Sequence, residues 1–522
     1  MKTKQLFKSH LFSLAALFSM ALTAVSCANE DIAQNGKGAD NGKGFATFVA
    51  DVPTQTRTSI DYATGNFYWE EGDKIYVKDD DGTMQVSNAV DAAHAHSASF
   101  KFKVPGKFGG SANYKVYYLG KNSSSNQVTI PTAQTQTTPN TTDHLGNSGD
   151  YGTATATGTL GGSVFSFQLE HQATYLVFQP YTSNAVLKNC YLTKIEVNSD
   201  DDIAETYTIN SSTGNLNGSA GSKQIVLTTK DPVAGSTNEK GFSFSNATSI
   251  STADKVYMLI KPGAHTLKVR YWVKDYDTNV EGTITKVLPS FNYDKNTYYD
   301  MTANLNVRNY DGDKYYMWDA QQNYWAGHEW NKANPWQPVL NGNSNSNYAQ
   351  NNSDPRYYNE AFTYGADNPA THTSCKDLPN VNEMTWYAAK GEPRWDADEL
   401  WTTMGHLYKG GMWFKKKSQI SGYNPNTAVD ETDWRTTGQN QSWSVSQTLP
   451  SAADAGNYFY LPALGFYYSG QLYYVGTKGY YSSSSASPWG IGNAFNLNFY
   501  SGNVGVNYNG RFNGFRAEAL FE

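Results

Sequence analysis

"NLNFYSGNVGVNYNGRFNGF", Asn496 to Phe515, carries six Asn, four Gly, five aromatic residues and one charge, Arg511. Its order is regular. Phe495, Leu497 and Phe499 alternate with Asn496, Asn498 and Tyr500, the period-2 pattern of a half-buried strand. Ser501-Gly502 offers a turn, and Val504 and Val506 alternate with Asn503, Gly505 and Asn507 as a second strand. Asn509-Gly510 is a further tight-turn dipeptide. One face of this hairpin has apolar residues to bury: Leu497, Phe499, Val504 and Val506, with Phe515 beyond. The other is left with Asn, Gly and Tyr, residues that do not favour strands for their own sake, Tyr apart. Such a face is either a solvated sheet surface or a binding surface. Tyr offers rigid contact area and Asn, Ser and Gly offer adaptable hydrogen bonding, the mixture that paratopes use.

The rest of the chain sets the context. Its 522 residues suggest two to four domains, and the net charge of −7 gives no reason to expect nucleic acid as a partner. Charged residues are only 17% of the chain and aromatics 14%, which with the many Thr, Asn and Gly fits an extracellular, mainly β protein. Lys2, Lys4 and Lys8 precede an apolar run from Leu11 to Val25 that is short for a membrane span. The run ends in "LTAVSC", which resembles a bacterial lipobox. Residues 1–26 are therefore expected to be a leader, Cys27 the lipidated residue, and 27–43 a polar, Gly-rich tether. Glu30 and Asp31 resemble the acidic export signal of surface lipoproteins in Bacteroidetes. The expected location is the cell outer membrane, exposed at the surface. Cys190 and Cys375 are expected to be free and buried.

Tryptophan divides the chain. Only Trp69 and Trp272 precede residue 310, and the other 11 lie between Trp318 and Trp489. Up to about Val307 the chain reads as strand after strand, such as "KIYVKD", "TYLVFQPY" and "KVYMLIKPG", with the length of two β-sandwich modules joined between about Gly161 and Leu187. "TRTSIDYATGNFYWEEGDKIYV" (Thr56–Val77), "VYMLIKPGAHTLKVRYWVKD" (Val256–Asp275) and "NTYYDMTANLNV" resemble the fimbrillin family, the subunits of Bacteroidetes type V pili. That resemblance covers most of residues 44–308. It implies a lipoprotein precursor trimmed at Arg57, loss of the strand "FATFVADV", and a groove filled by an extended segment of another pilin subunit. An exposed strand edge offers the unpaired N–H and C=O groups that such addition uses. The acidic "KDDDGTM" (Lys78–Met84) reads as a solvated hairpin turn rather than a calcium loop.

From residue 313 two helices are expected. In "LPNVNEMTWYAAKG", Asn380 and Glu383 have capping-box spacing, Gly391 can end the helix, and Met384, Tyr387 and Ala388 would be buried. In "WDADELWTTMGHLYKGG", Asp396 and Glu399 repeat that spacing, with Leu400, Trp401, Met404, Leu407 and Tyr408 at helical intervals. Strands return after Trp443. "LPNVNEMTWYAAKG", "YFYLPALGF", "GYYSSSS" and "NGFRAEALFE", in this order, resemble the C-type-lectin-like fold in the branch of formylglycine-generating enzymes and their non-enzymatic relatives. Within that branch the closer likeness is to surface proteins diversified by retroelements, where a fimbrillin-like front carries a lectin-like domain with a variable ligand face. The expected fold is thus mainly β: fimbrillin-like β-sandwich modules, then an α+β C-type-lectin-like domain over 313–522.

The enzyme alternative lacks its nucleophile, since no Cys follows Cys375. No metal ligand set is expected, because His94 and His96 have no third partner nearby and the remaining His are scattered. No cofactor is expected either. Trp318, Trp325, Trp330 and Trp336 are core candidates, with a sugar platform as the alternative. The expected function is a surface lipoprotein adhesin, a pilus tip subunit, that binds a protein or glycan. The alternative is a permanently anchored, non-pilus binder. The ligand face is assigned to Tyr481, Ser483, Ser485, Asn496, Asn498, Tyr500, Asn503, Gly505, Asn507, Tyr508 and Phe512. Its residue types are those that Asn codons randomised at adenine would leave.

Overall fold

The computed structural model describes residues 2–5, 44–50, 59–61, 66–121, 123, 126–210, 213 and 215–522. Cys27 and Arg57 lie outside the described residues. The chain is mostly β, arranged in several sheets.

Alternation of burial builds the first sheet. In Phe45–Ala50, Ala46, Phe48 and Ala50 are buried while the residues between them are not. This strand is internal. It pairs in parallel with Val164–Phe167 on one side and antiparallel with Phe100–Pro105 on the other. Phe48, Trp69, Phe102 and Phe165 fill the core beneath. The Lys78–Met84 stretch is a hairpin turn whose carboxylates are separately occupied. Asp79 accepts the Thr83 N–H at 2.8 Å, Asp80 accepts the Tyr114 hydroxyl at 2.7 Å, and Asp81 pairs with Lys107 at 3.0 Å.

A second core begins where the first ends, between Leu169 and Ala173, although Val128, Ile130 and Leu145 already belong to it. The two modules therefore interleave. One sheet of the second module holds Thr297–Asn304, Thr174–Tyr181 and Val256–Ile260, with Lys2–Gln5 antiparallel along the Thr297–Asn304 edge. The other centres on the long strands Tyr191–Ser199, Gly263–Asp275 and Val280–Tyr293. The near-continuous buried runs of Thr174–Tyr181 and Val256–Ile260, in the first of these sheets, fit strands covered on both faces.

That second sheet runs on into the C-terminal unit. Thr283 bridges Glu399 in parallel, and Arg394–Thr403, His406–Lys415 and Tyr458–Pro462 follow in order. The joint is polar. Arg270 meets Asp396 at 2.9 Å with both side chains buried, and Lys268 donates to the Pro450 carbonyl. Glu399 accepts the Thr285 N–H at 3.0 Å and the hydroxyls of Thr285 and Thr283 at 2.6 and 3.1 Å. Burial, and then the negative charge of Asp396, push the Glu399 carboxyl up to about 7.

Arg394–Thr403 and His406–Lys415 correct the second expected helix: "WDADELWTTMGHLYKGG" is a β-hairpin. Met404 and Gly405 both take positive φ, 48° and 78°, between paired Thr403 and His406. A two-residue turn with both φ positive matches strand twist. The helical spacing misled because the register shifts between Asp396 and Leu400. This bulge carries Leu400, Trp401, Met404 and Leu407 into the interior. Asp396 accepts backbone N–H groups of Asp398 and Glu399 inside the bulge, where a helix cap was expected.

The first expected helix is present as Val381–Lys390. Asn380 accepts the Glu383 N–H at 3.1 Å, and Glu383 accepts the Asn380 N–H at 2.8 Å. Met384, Tyr387 and Ala388 are buried and Gly391 caps the end. Cys190 and Cys375 are free and buried. Among the described residues no helix is long and apolar enough to cross a membrane.

Candidate functional site

The C-terminal sheet sets Gly479–Ala486, Asn493–Tyr500, Asn503–Gly510 and Gln441–Ser444 side by side. The quoted hairpin is there, turning at Ser501-Gly502 with Tyr500 opposite Asn503. Leu497, Phe499, Val504 and Val506 are fully buried and Phe515 nearly so. Helix Val381–Lys390 is among the elements packed against these strands.

The register moves several expected ligand residues inside. Tyr481 stands opposite Leu497, not Asn498. It is buried, its hydroxyl donates to the Pro462 carbonyl at 2.6 Å, and its ring stacks on Phe499. Its neighbour Tyr480, opposite Asn498, is the half-exposed member of the pair. Ser483 and Ser485, two and four residues beyond Tyr481, are buried on the same alternation. The Ser483 hydroxyl donates to the Phe495 carbonyl at 2.8 Å, and that of Ser485 accepts the Val381 N–H at 3.1 Å. These two serines fasten sheet and helix and are not a ligand surface.

Asn496 is also buried. It donates to the Asn507 carbonyl and accepts from Asn498, each at 3.1 Å. Gly505 lies under its neighbours: an added Cβ would sit 2.5 Å from Asn507 Nδ2 and 2.8 Å from Ser442 Oγ. Polar side chains lie flat over the sheet here, covering the backbone. Tyr508 follows Val504 and Val506 at two-residue intervals, so it belongs to the core-side row. It emerges at the strand end, exposed, edge-on to Phe495. Asn498, Asn503 and Asn507 are half-exposed, and Tyr500 and Phe512 are exposed.

Tyr500 and Phe512 each have aromatic neighbours that the hairpin alone does not reveal: Tyr500 shares Lys478 with Tyr474, and Phe512 meets Tyr468. Tyr468, Tyr474, Tyr500 and Phe512 are each more than a third exposed. Phe466, half-buried, is 4.5 Å from Tyr480 and 6.1 Å from Tyr474 between ring centres, and Tyr468 is 6.0 Å from Phe512. Lys478 holds its ammonium 4.2 Å from the Tyr474 ring and 5.7 Å from Tyr500. Tyr474 has a φ of 62°, a left-handed conformation that is uncommon outside Gly, and its carbonyl accepts the N–H groups of Thr477 and Lys478. The turn thus holds ring and cation together. The signal in the sequence was the repeated aromatic doublet: "GFYY", "LYYV" and "GYYS".

The other sequence candidates resolve differently. Trp318 and Trp325 are buried, and Trp330 and Trp336 are half-buried, with His328 stacked on Trp336. Burial pushes the Cys375 thiol up to about 12, and its sulfur accepts the Asp319 N–H. That environment disfavours a reactive thiolate. His94 is bonded to Asp91, and His96 to Glu70.

No family model matches the chain, and no curated protein matches its sequence. Solved structures similar to parts of it include the fimbrial anchor protein Mfa2 from Porphyromonas gingivalis, at 13% identity and TM-score 0.22, covering 47% of this chain and 82% of that one. A fimbrial assembly protein from Parabacteroides distasonis is similar at 13% identity and TM-score 0.24, covering 51% and 92%. A protein provisionally described as a cell adhesion protein, from Bacteroides uniformis, is similar at 14% identity and TM-score 0.28, covering 51% and 94%. Likenesses at this level assign no function to this chain.

Proposed function

We propose that this chain is a cell-surface adhesin, anchored by lipid at Cys27, that binds a protein or glycan on another surface through its C-terminal unit. The observation that carries this is the exposed pair Tyr474 and Tyr500, which share the Lys478 ammonium. Large rings exposed together on a soluble surface mark interaction sites. Here they stand on a sheet whose core is formed by other residues, so they are free to contact a partner. The half-exposed Asn498, Asn503 and Asn507 extend this surface with adaptable hydrogen bonding. Adenine-directed variation at such codons would change the ligand without touching the core.

The N-terminal half supports a place in a pilus. Cleavage after Arg57 would release Phe45–Ala50, which lies between Val164–Phe167 and Phe100–Pro105. Its loss would leave two unpaired edges over an apolar core, fit for an extended segment of another subunit.

The test is binding of the purified full chain to immobilised glycoproteins and bacterial cells, beside a Tyr474→Ala, Tyr500→Ala double variant of equal thermal stability. Loss of binding in the variant is expected, and unchanged binding would refute the assigned face. Mass spectrometry of the mature N-terminus separates the two cellular forms. A start at Thr58 marks a processed pilus subunit, and a lipidated Cys27 with Phe45–Ala50 retained marks an anchored binder.

A further inference from the structure

A second exposed aromatic pair lies on the loops of the C-terminal unit. Trp489 is 50% exposed and Tyr364 is 69% exposed. Their rings meet at 5.0 Å and 80°, forming a corner. An exposed tryptophan usually has rotamers to choose from, but this one is fixed. Its Nε1–H donates to the Thr437 carbonyl at 2.9 Å. Its five-membered ring lies against Gly438, which takes a φ of 67° and has no room for a Cβ. The loop bearing Tyr364 is fastened to the same place: Gly365 N–H donates to the Pro488 carbonyl at 2.7 Å, and Ala486 N–H to the Asn368 carbonyl at 3.1 Å. Beside Thr437 on the same short helix, Arg435 is bound to Asp433 at 2.8 Å and faces Asp367, in the Tyr364 loop, at 3.7 Å.

We propose that Trp489 and Tyr364 form a saccharide-binding corner. An indole face held in place before the ligand arrives matches the C–H face of a pyranose ring, and the phenol at right angles limits which ring edge can enter. The Arg435–Asp367 pair supplies a donor and an acceptor for ring hydroxyls. The fixed indole avoids the ordering cost that a mobile side chain adds to binding. The four tryptophans that the sequence offered for this purpose are buried or half-buried, whereas Trp489 has the required exposure. This proposal rests on the adhesin function above and specifies a ligand class for a second part of the same unit.

The experiment applies the full chain to an array of neutral and acidic oligosaccharides and measures affinity for the strongest hit. Trp489→Ala and Tyr364→Ala are each expected to weaken binding about tenfold, the scale of one lost aromatic contact. Tyr364 is the more exposed, so its variant decides the matter if Trp489→Ala proves unstable. Absence of any saccharide binding overturns the proposal, as does binding unaffected by Tyr364→Ala. Saccharide binding lost in Tyr474→Ala but kept in both corner variants would leave the adhesin standing and remove the corner. Capture of a non-glycosylated protein through Trp489, with no sugar bound, would also overturn it.

Discussion

Tyr481 and Tyr500 look alike in sequence, and the structure gives them opposite roles. Replacing Tyr481 with Ala removes a fully buried ring that stacks on Phe499 and leaves the Pro462 carbonyl without its 2.6 Å donor. Truncating a buried aromatic costs about 3–5 kcal/mol, and a stranded buried acceptor costs about 1–3 kcal/mol more where water cannot reach it. Taking the lower end, about 4 kcal/mol, and about 2–4 °C per kcal/mol for a unit the size of residues 313–522, the C-terminal transition should fall by at least about 8–16 °C. Tyr500→Ala removes an exposed ring and should stay within about 0.5 kcal/mol, or about 1–2 °C by the same conversion. The assay is differential scanning calorimetry of the full chain, comparing the transition assigned to the C-terminal unit. Equal melting of the two variants would refute the register that sets Tyr481 opposite Leu497.

Three further outcomes are expected. The Glu399 carboxyl stands at about 7 in the folded protein against 4.5 for a free Glu. The folded state therefore holds more protons between these values, and stability falls as pH rises through that window, by at most about 3 kcal/mol. Calorimetry from pH 5 to 8 should show the fall, and Glu399→Gln should flatten it. Arg270→Ala strands the buried Asp396 carboxylate at the joint, and urea unfolding should show a loss of about 3–5 kcal/mol. Asn380→Ala removes one arm of the capping box and should cost about 1 kcal/mol in the same assay.

The capped helix and the closing hairpin were legible because each is written locally. Asn380, Glu383 and Gly391 mark the helix ends by chemistry, and the Leu497–Val506 alternation is unbroken. The Arg394–Lys415 hairpin was not legible. Its bulge displaces the strand register, so Leu400, Trp401, Met404 and Leu407 fall at helical intervals, and only the Met404-Gly405 turn argues otherwise. The ligand face was legible only in part. Gly479–Ala486 carries no apolar alternation to tell its inward row from its outward one, so Tyr481, Ser483 and Ser485 read as outward although they are buried. Lys478 was missed because its importance comes from two rings distant in sequence or turned toward it by a left-handed residue. Trp489 carries no local mark of exposure, since its seat is Gly438.

The most direct measurement of the central claim is a saturation scan of residues 466–515 in the surface-displayed full chain. The library is sorted once for folded display and once for binding to the glycoprotein or cell surface that the parent recognises. Substitutions at Tyr474, Lys478 and Tyr500 are expected to keep display and lose binding, while those at Tyr481, Leu497, Phe499, Val504 and Val506 lose both. Binding that survives every substitution in the first group would contradict the claim that this aromatic face holds the ligand.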